Sequence, residues 1–426
     1  ERLARDAEDD PAGVGEPITR RDALRVAAFV PFVRTMDDEV ATDSAATHGS
    51  RSTTRPRTVA STGATTIDDV TGQSVGSIAI NGETAIVGTP PSADRSVGRA
   101  SVFTCVEGVW TRQATLEPID AGGQFGRAVA LEDDLAMVGD EFGAGPAGDH
   151  RGTVTVFRRE RAGWQQAARL SAPETHGTDF FGSDVAVSNE WLLAGATTAD
   201  TGAGRRSGAV FAFVAGDDGM SLATTLEPPT DDVSEFGRSI ALDERIVGSQ
   251  SGAVAGPSDD GAAFVYERRR GSWRPMGQLA SGTVGRDDGF GRAVAVAGET
   301  IAVGAPLAAI DGHGNAGVVS VFERRGGRWR RQARLAHPSH RPDQQFGCDL
   351  ALDGDRLLVG SEFGPGPVAF ERNGRSWTRL GDGYAAGTSS ANGNRVALSG
   401  ATAVIGNETG PGDQARTNAT LAVFDQ

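Results

Sequence analysis

Six histidines stand at positions 48, 150, 176, 313, 337 and 340, and two cysteines at 105 and 348. A nucleophilic triad or a metal centre would have to be drawn from these residues and the acids near them. No Ser, His and Asp recur together at fixed positions, so catalysis would need a site assembled from several loops. For such an enzyme, a hydrolase or lyase of glycan or phosphoester substrates, His150, His176 and His313 are the candidates. Asp311-Gly312-His313-Gly314-Asn315 and Asp259-Asp260 gather the oxygen donors that a hard cation needs, although acids in polar loops read more simply as solvated. The cysteines form no C-x-x-C pair and no disulfide framework. Each reads as a small packed side chain. The residue types thus argue for a non-enzyme, with no catalytic residue and no cofactor assigned.

The elements that would position any site are set by a repeat. Phe-Gly recurs at 125, 181, 236, 290 and 346, and each copy leads through an alternating apolar stretch to a second glycine 11 to 13 residues on. The second elements are Val138-Gly139-Asp140, Ala194-Gly195-Ala196, Val247-Gly248-Ser249, Val303-Gly304-Ala305-Pro306 and Val359-Gly360-Ser361. Degenerate copies bracket these, with Gly76 leading to Val87-Gly88-Thr89-Pro90 and Gly393 to Ile405-Gly406-Asn407. The count is seven. First-glycine spacings of 50, 56, 55, 54, 56 and 46 residues mark an array of supersecondary units rather than one mixed core.

Each unit reads as four strands of period-two alternation. Strand A (FGRAVAL) and strand B (LAMVGD) flank a tight turn; strand C (GTVTVF) follows a Gly-rich loop; and strand D (WQQAARL) follows a charged hairpin. Phe103, Phe157, Phe213, Tyr266, Phe322 and Phe370 precede Trp110, Trp164, Met220, Trp273, Trp329 and Trp377 by seven residues. Counted symmetrically about the hairpin, these large side chains should face each other across it. Seven antiparallel four-stranded units without helical patterns suit an all-β, seven-bladed propeller, which leaves only short, protected sheet edges. The last unit ends at TLAVFDQ without a strand D, and residues 55–62 (RPRTVAST) are the expected N-terminal strand that completes it.

With both elements in register over residues 55–426, the chain resembles the FG-GAP repeats of the integrin alpha-subunit propeller and its prokaryotic relatives. The resemblance implies a cell-surface or secreted module that binds a protein or carbohydrate through its loops, usually without catalysis. It also implies calcium in an Asp-x-Asp-x-Asp-Gly loop between strands A and B. Here those turns are Asn81-Gly82, Glu132-Asp133-Asp134, Ser188-Asn189-Glu190, Asp243-Glu244, Ala297-Gly298, Asp353-Gly354 and Ser399-Gly400. Turns this short do not wrap six to eight oxygens, so calcium of the family type is not expected.

Composition fits export into salt. Lysine is absent, all 41 basic residues are arginine, Asp outnumbers Glu by 35 to 21 and the net charge is -15. This balance is unsuited to nucleic acid, whose phosphates call for a basic surface; it resembles halophilic adaptation, and a GC-rich genome would also favour arginine. Residues 1–53 form a tail outside the propeller (54–426). Within it, Thr19-Arg20-Arg21-Asp22-Ala23-Leu24-Arg25 resembles a twin-arginine export motif ahead of the apolar run 26–33. That run is far short of a membrane span. Sequons at Asn407 and Asn418 also point outward. The expected protein is secreted or surface-bound and monomeric. Its longer B–C and D–A loops collect acids, and their rim is the expected ligand face, with Asp140, Glu141, Asp149, Asp200, Asp259, Asp260, Asp287, Asp288 and Asp311 as candidate contacts. The C–D hairpins on the other rim carry arginine runs. An intracellular assembly scaffold is the competing non-enzymatic reading.

Overall fold

In the computed structural model the described residues are 65–67, 74–91, 97–120, 123–145, 151–173, 179–216, 219–230, 233–243, 251–256, 261–269, 271–280, 288–364, 366–380, 394–406 and 419–423. Their strands all lie in the unit Thr35–Gln426 and form four-stranded antiparallel sheets arranged as a propeller ring. The second sheet is typical, running A (Ala128–Glu132), B (Leu135–Asp140), C (Thr153–Glu160) and D (Gly163–Leu170) in spatial order. Six sheets are built this way from consecutive strands, starting at Ser77, Ala128, Phe181, Ser239, Ala293 and Phe346.

The last sheet, Arg395–Ser399, Thr402–Gly406 and Ala419–Val423, takes its fourth strand from the other end of the chain. That strand is Thr65–Ile67, with Thr65 opposite Leu421 and Ile67 opposite Ala419. It lies further along the chain than the expected 55–62, which are outside the described residues. Elsewhere the last sheet packs on the first, where Val75, Ile78, Val87 and Phe103 share a core with Ala397 and Val404.

The Phe-Gly and Val-Gly elements meet between sheets rather than within one. Phe125, Phe181, Phe236, Phe290 and Phe346 are buried, and the backbone that carries them presses against two glycines of the preceding sheet. A Cβ on Gly195 would stand 2.0 Å from the Gly237 carbonyl oxygen, and one on Gly208 2.2 Å from that of Phe236. Gly139 and Gly152 meet Gly182 and Phe181 in the same way, and Gly304 and Gly317 meet Gly347 and Phe346. Only glycine permits this approach of backbone to backbone. The interface also carries a hydrogen bond, from Phe181 N to Arg151 O (2.9 Å) and from Phe236 N to Ser207 O (2.9 Å). Repeat periodicity is therefore interface periodicity.

The C–D hairpins differ from the symmetric pairing expected. Phe103 pairs with Arg112 and Trp110 with Cys105, because the two-residue turn sits at Glu107-Gly108, one position past the midpoint between Phe103 and Trp110; the extra residue of strand D, Gln113, comes on the far side of Phe103 from the turn. Phe322 likewise pairs with Arg331 and Tyr266 with Pro275. Phe and Trp are diagonal neighbours, and the tryptophan leans onto the preceding sheet: Trp164 Nε1 donates to Gln113 Oε1 (3.1 Å) and Trp377 Nε1 to Gln332 Oε1 (2.8 Å). Both glutamines are the bulged residue of strand D, which is how a bulge re-aims a side chain.

Candidate functional site

One rim of the ring is devoted to holding sheets together. Five of its A–B turns are two-residue hairpins, with positive φ at Gly82 (56°), Asp133 (48°), Gly298 (56°), Gly354 (57°) and Gly400 (55°), the backbone that such turns demand. Their polar atoms face neighbouring sheets: Gly298 N donates to Asp243 (2.8 Å), Gly400 N to Asp353 (2.6 Å) and Gly82 N to Ser399 Oγ (3.0 Å). The C–D arginines join them. Arg159 pairs with Asp134 at 2.7 Å and reaches Thr84 of the first sheet, and Arg324, buried, lies 2.9 Å from the buried Glu267 of the fourth. Among the described residues, no three His, Cys, Asp or Glu stand together as a metal group.

Inside the ring, two strand-A carboxylates bridge sheets. Asp184 accepts Ile240 N (2.6 Å) and Val185 N (2.9 Å), and Asp349 accepts Val396 N (2.9 Å) and Leu350 N (3.0 Å). Burial pushes the Asp184 carboxyl up to about 7; the two backbone donors oppose this, and Asp349 adds to it more weakly. The Cys348 thiol is also pushed up by burial. It lies 3.6 Å from Asn394 O. Both cysteines are free, Cys105 half-buried.

The B–C and D–A loops form the other rim, and the acids expected to face a ligand divide there. Asp140 is buried, and its Oδ1 accepts Gln124 N. Glu141 lies 3.9 Å from Arg127. Asp200 accepts Arg206 N (2.8 Å), which closes its own loop. Asp288 is half-buried, with its carbonyl taken by Leu307 N. Asp311 alone of these five is well exposed, 3.5 Å from His340 Nδ1. Asp149, Asp259, Asp260 and Asp287 lie outside the described residues, as do His150 and His176.

What the sequence reading missed on this rim is aromatic. Glu141-Phe142-Gly143 after the second strand B recurs as Glu362-Phe363-Gly364 after the sixth. Both phenylalanines are exposed, at 41% and 51%, and Phe142 meets Phe180 edge-on at 5.2 Å. The duplicated string was the available signal. Next to Phe363, the loop leading into the sixth sheet is dense in polar contacts. Ser339 Oγ stands 2.8 Å from His337 Nδ1, which also accepts Ser339 N (3.0 Å). Both contacts come from one residue two places along, so they close a turn. Asn315 Nδ2 donates to Asp343 (2.9 Å), and Phe363 N to Gln344 O (3.2 Å). Asp311, Asn315, His340, Asp343 and Gln345 all hold positive φ between 40° and 58°, a concentration of backbone strain typical of functional loops.

A family described as FG-GAP repeat matches residues 164–213 and 273–322. The chain carries FG-GAP repeats. Each matched stretch starts at a strand-D tryptophan and ends at a strand-C phenylalanine, so it spans one sheet-to-sheet interface of the FG-GAP propeller. No curated protein matches the chain. Among solved structures, U3-55K is similar with TM-score 0.53 at 12% identity, covering 83% of this chain and 96% of that one. A putative 6-phosphogluconolactonase from Bacteroides uniformis is similar with TM-score 0.50 at 12% identity, covering 72% and 84%. The periplasmic gluconolactonase PpgL of Pseudomonas aeruginosa has TM-score 0.49 at 16% identity, covering 71% and 82%. At such identities the likeness is one of fold.

Proposed function

We propose that the FG-GAP repeats form a seven-bladed ring completed by the N-terminal strand, and that the protein is a non-enzymatic, extracellular binding or adhesion module. Its B–C and D–A rim binds a protein or carbohydrate ligand. The observation that carries this reading is the asymmetry between rims. Along the A–B rim, turn and hairpin polar groups are spent on neighbouring sheets and the exposed large apolar residues are the aliphatic Val106 and Val109 beside one C–D turn, whereas the B–C and D–A loops hold the aromatic Phe142 and Phe363, with Ile119, out to solvent at 41%, 51% and 65%. Rigid scaffolds carry binding on loops, and exposed aromatic rings offer such loops large, adaptable contact area. Net charge -15 without lysine supports a partner other than nucleic acid.

Export through Arg20-Arg21 is part of the proposal. Protease added to intact cells should digest the wild-type protein, while an Arg20→Lys, Arg21→Lys variant stays protected inside. Purified protein should bind the cell surface, and a Phe142→Ala, Phe363→Ala variant of unchanged fold should lose that binding. Protection of the wild type, or binding that ignores both phenylalanines, would overturn the reading.

A further inference from the structure

We infer that the junction of the fifth and sixth sheets is a carbohydrate subsite, in which Phe363 stacks on a sugar ring while Gln344 and Ser361 bind its hydroxyls. The inference rests on the rim being the ligand face. Two buried polar side chains at this junction each carry one atom without a hydrogen-bond partner. Gln344, 1% exposed, uses Oε1 to accept from Ser339 Oγ and Arg341 N (3.3 Å each), which leaves the Nε2 donor unspent. Ser361, fully buried, has an unspent hydroxyl. A buried group with no partner is costly, and a ligand that pairs it removes that cost.

The second sheet explains why these groups lie together. Its corresponding residues are Gly123 and Asp140, where the carboxylate fills the space over the glycine, 1.9 Å from where a Cβ would stand, and accepts Gln124 N. In the sixth sheet the carboxylate is reduced to the Ser361 hydroxyl and the glycine has become Gln344, so two donors replace a satisfied acceptor. Gly364 crosses directly above; a Cβ there would be 3.4 Å from Gln344 Nε2. Its missing side chain is the route inward, and Phe363 beside it is half exposed.

The surrounding chemistry selects the ligand class. Asp311, 77% exposed, lies 3.5 Å from His340 of the loop that carries Gln344. Asp343 and Glu362 are also near, engaged with Asn315 and Asn394. With three acids against Arg341, an anion is disfavoured. A neutral polyol with one apolar C–H face meets every element: aromatic platform, carboxylate acceptors and inward amide and hydroxyl donors.

The test is saturation-transfer NMR on the full chain with the methyl glycosides of glucose, mannose, galactose and N-acetylglucosamine. At least one should receive saturation from the wild type. Phe363→Ala should abolish the signal, and Gln344→Glu, which keeps the acceptor and removes the donor, should weaken binding about tenfold. Phe142→Ala, in the corresponding loop of the second sheet, should leave it intact. No transfer to any glycoside would overturn the sugar assignment even where cell-surface binding still depends on Phe142 and Phe363, in which case the rim reading stands alone. Sugar binding indifferent to Phe363, Gln344 and Phe142 would overturn the subsite and the rim together.

Discussion

Met276→Gln should stabilise the propeller by about 1 kcal/mol. The bulged residue of strand D faces the tryptophan of the next sheet, and at two interfaces it is a glutamine whose Oε1 accepts the indole N–H, from Trp164 at 3.1 Å and from Trp377 at 2.8 Å. Between the fourth and fifth sheets the bulged residue is Met276, and the buried Trp329 Nε1 has no partner. Gln and Met are close in length and unbranched, so the change supplies the acceptor with little repacking. Satisfying a buried donor is worth roughly 1 to 3 kcal/mol, from which ordering the glutamine subtracts up to about 1.5. For 426 residues the unfolding entropy is about 0.9 kcal/mol per kelvin, so melting would move by only about one degree. Urea unfolding is therefore the assay, with a double-mutant cycle against Trp329→Phe. Met276→Leu controls for the loss of sulfur. Equal stabilisation by Met276→Gln with and without the indole, or the same gain from Met276→Leu, would refute the argument that the bulge exists to reach the next sheet.

Gly195→Ala puts a methyl 2.0 Å from the Gly237 carbonyl and should cost more than about 3 kcal/mol or prevent folding, whereas Gly314→Ala, with open space around it, should be near neutral by the same urea midpoints. Glu267→Gln leaves Arg324 buried beside a neutral partner, and a loss of about 3 kcal/mol or more is expected; a change below about 1 kcal/mol would show the pair to be solvated. Asp184 binds its proton more tightly folded than unfolded, its carboxyl being raised by burial to about 7. The stability this provides is complete near pH 4 and is lost as pH rises through 7. The stability of the wild type relative to Asp184→Asn, which keeps an acceptor for Ile240 N, should fall across that window and level off above it. A flat difference from pH 4 to 8.5 would refute the buried-carboxylate account.

The sheets were legible because their determinants are local or periodic: Phe-Gly and Val-Gly repeat at backbone level, and only glycine tolerates contacts near 2 Å. The Phe–Trp pairing was misread because the two-residue turn falls one position past the midpoint between the two aromatics, at Glu107-Gly108 in the first sheet, and their spacing does not fix where the turn lies. The strand that joins the last sheet has three residues, Thr65–Ile67, too few for an alternation to separate it from the similarly polar 55–62. At the rim, charge misled. Asp140 looked like a ligand contact but is buried, holding Gln124 N. Phe142 and Phe363 were readable as a duplicated Glu-Phe-Gly string, whereas the open amide of Gln344 depends on Gly364, 20 residues away, and on which of its atoms Ser339 engages.

The unit that repeats in sequence is offset from the unit that hydrogen-bonds as a sheet. A stretch such as 164–213 runs from strand D of one sheet to strand C of the next, and it carries one side of each of two glycine-lined contacts: Phe181 and Gly182 press on Gly152 and Gly139 of the preceding copy, and Gly208 and Gly195 meet Phe236 and Gly237 of the following one. The last sheet follows the same offset, with Thr65–Ile67 paired beside Ala419–Val423 as its fourth strand. The same offset loads selection unevenly. Each copy binds its neighbours through its glycines, its Phe and its turn polar groups, and among the described B–C loops the contact that recurs is that of Gly98, Gly152, Gly208 and Gly317 at their ends, while the rest differs from loop to loop. On the same rim the second and sixth sheets exchange Gly123 of one D–A loop and Asp140 at the end of strand B for Gln344 and Ser361 without disturbing the ring, and such freedom beside a fixed frame is what would let one rim take a ligand while the other holds the propeller together.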